Sequence, residues 1–199
     1  MSRVLAPVPP EGANAAKRLS RIAVPLAADL VLLGDSNAAA WPPDLLAAGL
    51  PGLAVFNFGL PGDRIQNVLW RLDSVPTGHL RPRDVVIVLG TNNLADGDIP
   101  AEIAAGIDAV IAKLRALWGD PAIILPAIAR RGAGPLARSA EREALNAMLL
   151  AKAGTGIRTA RSDLILDAMG PAAFEPDGIH ISRAGYAALT EALSILIGA

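Results

Sequence analysis

The 199-residue chain contains no cysteine. Disulfides, thiolate nucleophiles and cysteine-based zinc sites are therefore excluded, although the cellular compartment is not fixed by that absence. Histidine is nearly as scarce, with His79 and His180 the only two. Aromatic residues make up 4% of the chain against 52% apolar residues, so the core must be aliphatic and rich in alanine. A formal net charge of −1 leaves no basic surplus to neutralise phosphates, which argues against nucleic acid as a partner. No apolar run reaches the length of a bilayer-spanning helix. Met1 to Pro10 includes Pro7, Pro9 and Pro10 and lacks the continuous apolar stretch of a secretory signal. The expectation is a cytoplasmic protein with no membrane span, whose length suits one large domain.

What is present alternates. Residues 1–12 read as a loose arm, and Ala13 to Ala23 as a short helix. Asp29 to Leu33 is a continuous apolar run ending at Gly34, the pattern of a strand buried on both faces. Ala54 to Asn57, Asp84 to Leu89 and Ala122 to Leu125 are further strands, and the β-branched run at 84–89 is the clearest. A fifth strand falls either at Ile157 to Ala160 or at Leu164 to Leu166. Between them, Ile65, Val68, Leu69 and Leu72 keep a helical period. So does the stripe from Ile103 to Leu117, with Pro100 in its first turn and Gly119 just past its end. Leu136 to Ala153 forms another helix, and Ser182 caps a last one through Ile197. Strands alternating with helices predict a three-layer α/β/α sandwich around a parallel sheet of about five strands. Residues 1–28 form the arm and short helix, and residues 29–199 a single domain.

Four stretches carry chemistry: Gly34-Asp35-Ser36, Asn57 through Asp63, Gly90-Thr91-Asn92-Asn93, and Asp177-Gly178-Ile179-His180. The first three follow or close predicted strands, where ligands of open α/β sheets bind. Ser36 at a strand-to-helix turn is a nucleophile only if a base takes its proton. His180, oriented by Asp177 three residues earlier, is the natural base. His79 lies in a charged loop and reads as solvated. Gly62 offers a backbone N–H and Asn92 a side-chain amide, the donors that a developing oxyanion needs, with the N–H of Ser36 as a third. Singly, each has an ordinary explanation as a cap or turn. Their joint occurrence, in order, at three strand ends and before the last helix is what carries the reading. Asp177 and His180 without a third ligand do not make a metal site. The Gly-x-Ser-x-Gly elbow is absent, since position 38 is alanine.

From residue 29 on, these four blocks resemble the SGNH (GDSL-type) hydrolases. Asn57-Phe58-Gly59 through Asp63, Val68 to Leu72, and the Arg131-Gly132 loop look most like the catalytic subunits of intracellular platelet-activating-factor acetylhydrolase. The resemblance implies a flavodoxin-like SGNH hydrolase fold. It also implies Ser36 as nucleophile, Asp177 and His180 as the acid–base pair, and Ser36, Gly62 and Asn92 as the oxyanion hole. The implied activity is hydrolysis of acetyl or short-chain esters through an acyl-enzyme, with no metal or cofactor. An acyltransferase on the same residues is the main rival, and a non-catalytic interaction subunit a more distant one. The partner is a small-molecule ester; the oligomeric state, a homo-oligomer included, is left open. Asn37 replaces the family's usual leucine, and Pro61 holds Leu60 extended ahead of Gly62. Arg130, Arg131 and Arg138 follow the fourth strand on the same edge as the site; they read first as a solvated loop, and alternatively they could attract an anionic leaving group.

Overall fold

The computed structural model describes residues 2–12, 15–132 and 138–198. Five parallel strands, β1 (Leu30–Gly34), β2 (Val55–Gly59), β3 (Asp84–Val88), β4 (Ala122–Pro126) and β5 (Ile157–Ala160), form one sheet in the order β2-β1-β3-β4-β5. Successive side chains of a strand point to opposite faces, so a run that is apolar throughout feeds two cores at once. Val31, Leu33, Val85, Ile87, Ile123 and Leu125 enter one core. There they meet α4 (Ile65–Ser74), α6 (Pro100–Trp118) and α7 (Ser139–Leu150). Leu30, Leu32, Val86 and Ile124 enter the other. Their partners there come from α3 (Pro43–Gly49), α8 (Ser162–Met169) and α9 (Arg183–Ile197). The expected α/β/α sandwich is therefore realised. Three short helices complete it: α1 (Ala15–Leu19), α2 (Ser36–Ala39) and α5 (Thr91–Ala95).

The fifth strand is Ile157–Ala160, while Leu164 to Leu166 lies in α8. Three apolar residues cannot distinguish strand from helix. Here the preceding turn decides, because Gly156 at φ +73° and the Gly154–Ile157 bridge launch the chain into the β4 ladder. Two predicted helices are shorter than their patterns. Of Ala13 to Ala23 the structure keeps Ala15–Leu19 as helix, and Ala13 and Asn14 lie outside the described residues. Of Leu136 to Ala153 it keeps Ser139–Leu150, and Leu136 and Ala137 lie outside them.

The N-terminal arm is fastened rather than loose. Val4 is fully buried in the first core. Arg3 Nε donates to Asp98 Oδ1 at 2.6 Å, and Asn67 Nδ2 donates to the carbonyls of Val8 and Pro9. A proline-rich stretch cannot pair as a strand, but one apolar side chain placed in a core cavity anchors it all the same. Among the described residues, no helix is long and apolar enough to cross a membrane.

Candidate active site

Gly34, the last residue of β1, pairs with Gly59 at the end of β2 and with Val88 at the end of β3. Three chains thus leave the sheet at one level. Ser36, Gly62 and Asn92 lie two, three and four residues beyond that level. This is why residues far apart in sequence share one rim.

Ser36 opens α2. Asp35 caps that helix, its Oδ1 accepting the N–H of Asn37 at 2.9 Å. Four residues make a weak helix, so its position is set from outside. Asn57 Nδ2 donates to the carbonyl of Ala38 at 2.8 Å, while Asn57 Oδ1 accepts the N–H of Gly59 at 3.0 Å. Tyr186 of α9 donates its hydroxyl to the carbonyl of Asn37 at 2.8 Å. Only a glycine fits at position 59, where a Cβ would stand 2.3 Å from the backbone nitrogen of Ala39.

The histidine arrives from the far end of the chain. His180 Nε2 stands 3.1 Å from Ser36 Oγ, and His180 Nδ1 stands 2.6 Å from Asp177 Oδ2. The second oxygen of Asp177 accepts the backbone N–H groups of Ile179 and His180, at 2.8 and 2.9 Å. The carboxylate is thereby fixed beneath the ring, and the network assigns the proton to Nδ1 and leaves Nε2 to accept from the serine hydroxyl. The bond to His180, joined by those two N–H groups, holds the Asp177 carboxyl down at about 2. The loop itself is closed by a bridge between Phe174 and Ile181 and by Ser182, which caps α9.

Gly62 sits at φ +85° in a turn whose Cβ direction faces open space. An L side chain is strained at that φ, and glycine is not. Leu60 ties the same turn back to β1, its N–H donating to the Gly34 carbonyl at 2.9 Å. Among the described residues the N–H groups of Ser36 and Gly62 have no hydrogen-bond partner. Asn92 Nδ2 donates to the carbonyl of Asp63, next to Gly62, at 2.9 Å, which leaves its second N–H available. His79, by contrast, is exposed and contacts the carbonyl of Pro25.

Buried polar side chains support this rim from beneath. Arg71 is completely buried; its Nε meets Asp63 Oδ2 at 2.6 Å and its Nη1 donates to the carbonyl of Phe58 at 3.1 Å. Burial pushes the Asp63 carboxyl up to about 6 against the pull of Arg71. Asn93, also fully buried, accepts the N–H of Ile65 and donates to Gln66 and Asp98. One signal was available: Arg71 interrupts the apolar stripe of α4, and a charge on a buried face requires a partner.

Two cavities flank the rim. An apolar crevice of about 70 Å³ runs between the sheet and α9; Trp41, Val88, Ile181 and Leu189 line it, and Asp35 and Asn37, on either side of Ser36, stand at it. A polar cleft of about 280 Å³ is bordered by Gly62, Asp63, Arg64 and Asp96. Of the three arginines after β4, Arg130 lies over the Phe174 ring, 4.7 Å from its centroid. Arg138 donates to the Leu94 carbonyl at 3.0 Å and to Glu141 at 2.9 Å. Arg131 Nη1 donates to Asn92 Oδ1 at 3.4 Å. Among the described residues, no three His, Cys, Asp or Glu side chains are grouped to hold a metal ion.

A serine–histidine–aspartate chain beyond the strand ends of a parallel sheet is an arrangement for acyl transfer. The model of the GDSL-like Lipase/Acylhydrolase family matches residues 22–188. The chain belongs to this family. The platelet-activating factor acetylhydrolase IB subunit alpha1 of Pongo abelii is 30% identical over 155 residues, covering 73% of this chain. The Rattus norvegicus subunit gives the same figures. The match spans 64% of the length of these relatives, just under two thirds. Among solved structures, a lipase/acylhydrolase from Enterococcus faecalis superposes with a TM-score of 0.70 at 23% identity, covering 84% of this chain and 94% of its own. An acetylxylan esterase from Geobacillus stearothermophilus gives 0.66 at 20% identity, covering 90% and 97%. Those two likenesses show the shared α/β/α fold.

Proposed function

We propose that this GDSL-family protein is a serine esterase that hydrolyses acetyl or other short-chain esters through an acyl-enzyme. The observation that carries the reading is the unbroken contact from Ser36 Oγ to His180 Nε2 at 3.1 Å and from His180 Nδ1 to Asp177 Oδ2 at 2.6 Å. His180 takes the Ser36 proton as Oγ attacks the ester carbonyl. Asp177 keeps the ring oriented and stabilises its charged form. The N–H groups of Ser36 and Gly62 and the Asn92 amide receive the oxyanion. His180 then protonates the departing alcohol. Water, deprotonated by the same imidazole, releases the acid and restores Ser36.

The apolar crevice supports a short acyl group. At about 70 Å³ it is under half the size of an engineered apolar cavity of about 150 Å³ that admits benzene. The polar cleft beside Gly62 suits a hydroxylated leaving group. The side chains of His180 and Asp177 are about two-fifths exposed, which favours water as acceptor over transfer to another alcohol. We assign the chemistry to residues 29–199 and a cytoplasmic location to the protein.

The test is Ser36→Ala, assayed with nitrophenyl esters from acetate upward and with a fluorophosphonate probe. The variant should fold, fail to label and lose turnover, and the wild type should favour the shortest esters. Retained turnover by Ser36→Ala overturns the nucleophile.

A further inference from the structure

Three arginines follow β4 on the edge where the site lies, and two of them are engaged. Arg138 is held by the Leu94 carbonyl and Glu141. Arg130 stacks on Phe174, with Asp167 at 3.9 Å. Arg131 differs. Its one hydrogen bond among the described residues is the 3.4 Å contact from Nη1 to Asn92 Oδ1, and it forms no ion pair there. The residues outside the description, 1, 13–14, 133–137 and 199, include no acidic side chain that could pair with it. Asp96, whose carboxyl feels the positive charge of Arg131, is already held on both oxygens by Arg64. Asp177 is taken by His180.

The backbone fixes where this charge stands. The N–H of Gly132 donates to the carbonyl of Gly178 at 2.7 Å, which ties the arginine loop to the loop of Asp177 and His180. A Cβ on Gly178 would lie 3.4 Å from the Gly132 Cα, so the two loops touch. The Arg131 side chain therefore reaches the Asn92 amide, while the backbone of its neighbour Gly132 is held by the histidine loop. Among the described residues, four of the five Arg131 N–H donors have no partner. A guanidinium is always charged and presents a planar fork suited to carboxylate or phosphate.

We propose that Arg131 selects esters bearing an anionic group, a carboxylate or a phosphate, and docks that group beside the scissile bond. The inference rests on the esterase reading and adds the charge of the substrate. The anion can sit on the leaving alcohol or on the acyl part. The chemistry that recognises it is the same, and the experiment separates the two.

The experiment compares 4-acetoxybenzoate with its methyl ester, which differ by one charge on the leaving group. A second pair, nitrophenyl hydrogen succinate and nitrophenyl methyl succinate, puts the charge on the acyl side. The readout is the charged-to-neutral ratio of kcat/KM within each pair. Wild type should favour the charged member of one pair at low salt. Arg131→Met should lower that ratio about tenfold, mainly through KM, as expected for loss of a hydrogen bond to a charged group. Arg131→Lys should keep part of the preference, and added salt should erode it. The pair that responds tells which side carries the anion. A ratio unaltered by Arg131→Met in both pairs, with both members slowed alike, overturns the proposal and leaves Arg131 as a holder of Asn92. Wild type that turns over neutral esters without preferring charged ones overturns it too, while the esterase reading survives. Wild type inert toward all four esters and toward the fluorophosphonate sinks both.

Discussion

The guanidinium of Arg71 and the carboxylate of Asp63 form an ion pair at 2.6 Å with both side chains shut off from solvent. The carbonyl of the same aspartate takes the Asn92 amide, so this pair underlies the turn that presents the proposed oxyanion donors. Removing one partner of a buried pair strands the other charge. Arg71→Met should cost about 3–5 kcal/mol in denaturant unfolding. Arg71→Met combined with Asp63→Leu should recover a substantial part of that loss. A single variant as stable as wild type would show that the pair is dispensable to the fold.

Asn92→Ala removes a proposed oxyanion donor. By comparison with such donors elsewhere, kcat should fall roughly 10²–10³-fold. KM for a neutral ester should change little, because the interaction belongs to the transition state. A loss below threefold means that the amide serves only the Asp63 carbonyl.

Asp177 makes a prediction about acid. Its carboxyl is held at about 2, below the ordinary 3.8, chiefly by the bond to His180. A lowered folded-state pKa contributes stability that is present above 3.8 and lost as pH falls through about 2. Wild type should therefore lose more stability than Asp177→Asn across that window in acid-unfolding curves. Asp177→Asn should also reduce kcat at neutral pH by several orders of magnitude, since the imidazole loses its orienting partner. Parallel unfolding curves would count against the bond.

Asp35 has the opposite sign. Burial pushes its carboxyl from 3.8 up to about 7. A raised acid contributes stability that is fully present below 3.8 and disappears as pH rises through about 7. Asp35→Asn keeps a side chain able to cap α2 and cannot ionise. Against wild type it should gain stability as pH rises from 4 to 8, on the order of 2–4 kcal/mol by the end. Chemical denaturation at both pH values measures the difference, and an equal gap at both would refute the shift.

Gly59→Ala should displace α2, because the added carbon would meet the Ala39 backbone nitrogen at 2.3 Å. Backbone cannot yield as a flexible side chain does. Both stability and fluorophosphonate labelling of Ser36 should drop, the latter beyond what unfolding explains. A crystal structure with α2 unmoved and full labelling would contradict this.

How much of this could be read from the residues alone depends on where each feature gets its cause. The run at 84–88 was legible because β-branched residues without a polar interruption have few other uses, and buried parallel strands need them. Ile157–Ala160 stood only as one of two alternatives, because an edge strand is half covered and its Arg158 and Thr159 blur the pattern. Ser36, Gly62 and Asn92 stood out because their blocks fall at strand ends, and Asp177 and His180 because theirs precedes the last helix; the structure links Ser36, His180 and Asp177 in one chain of contacts. Asn57 and Arg71 lie in the blocks that were read, but their supporting roles were not legible because those roles are tertiary: Asn57 holds α2 through the Ala38 carbonyl, and Arg71 holds Asp63 and the Phe58 carbonyl. Val4 was missed for a similar reason. Its prolines spoke for a free arm, while its burial depends on a gap between α4 and α6 that only the folded chain possesses.

The flush pairing of Gly34 with Gly59 and Val88 makes the sheet a ruler for the chemistry above it. Sliding β2 by a single position would shift the Gly62 amide by about 3.3 Å relative to the serine and turn every β2 side chain to the wrong face. A one-residue insertion inside β2 should therefore silence the enzyme more completely than several residues added to a distant loop.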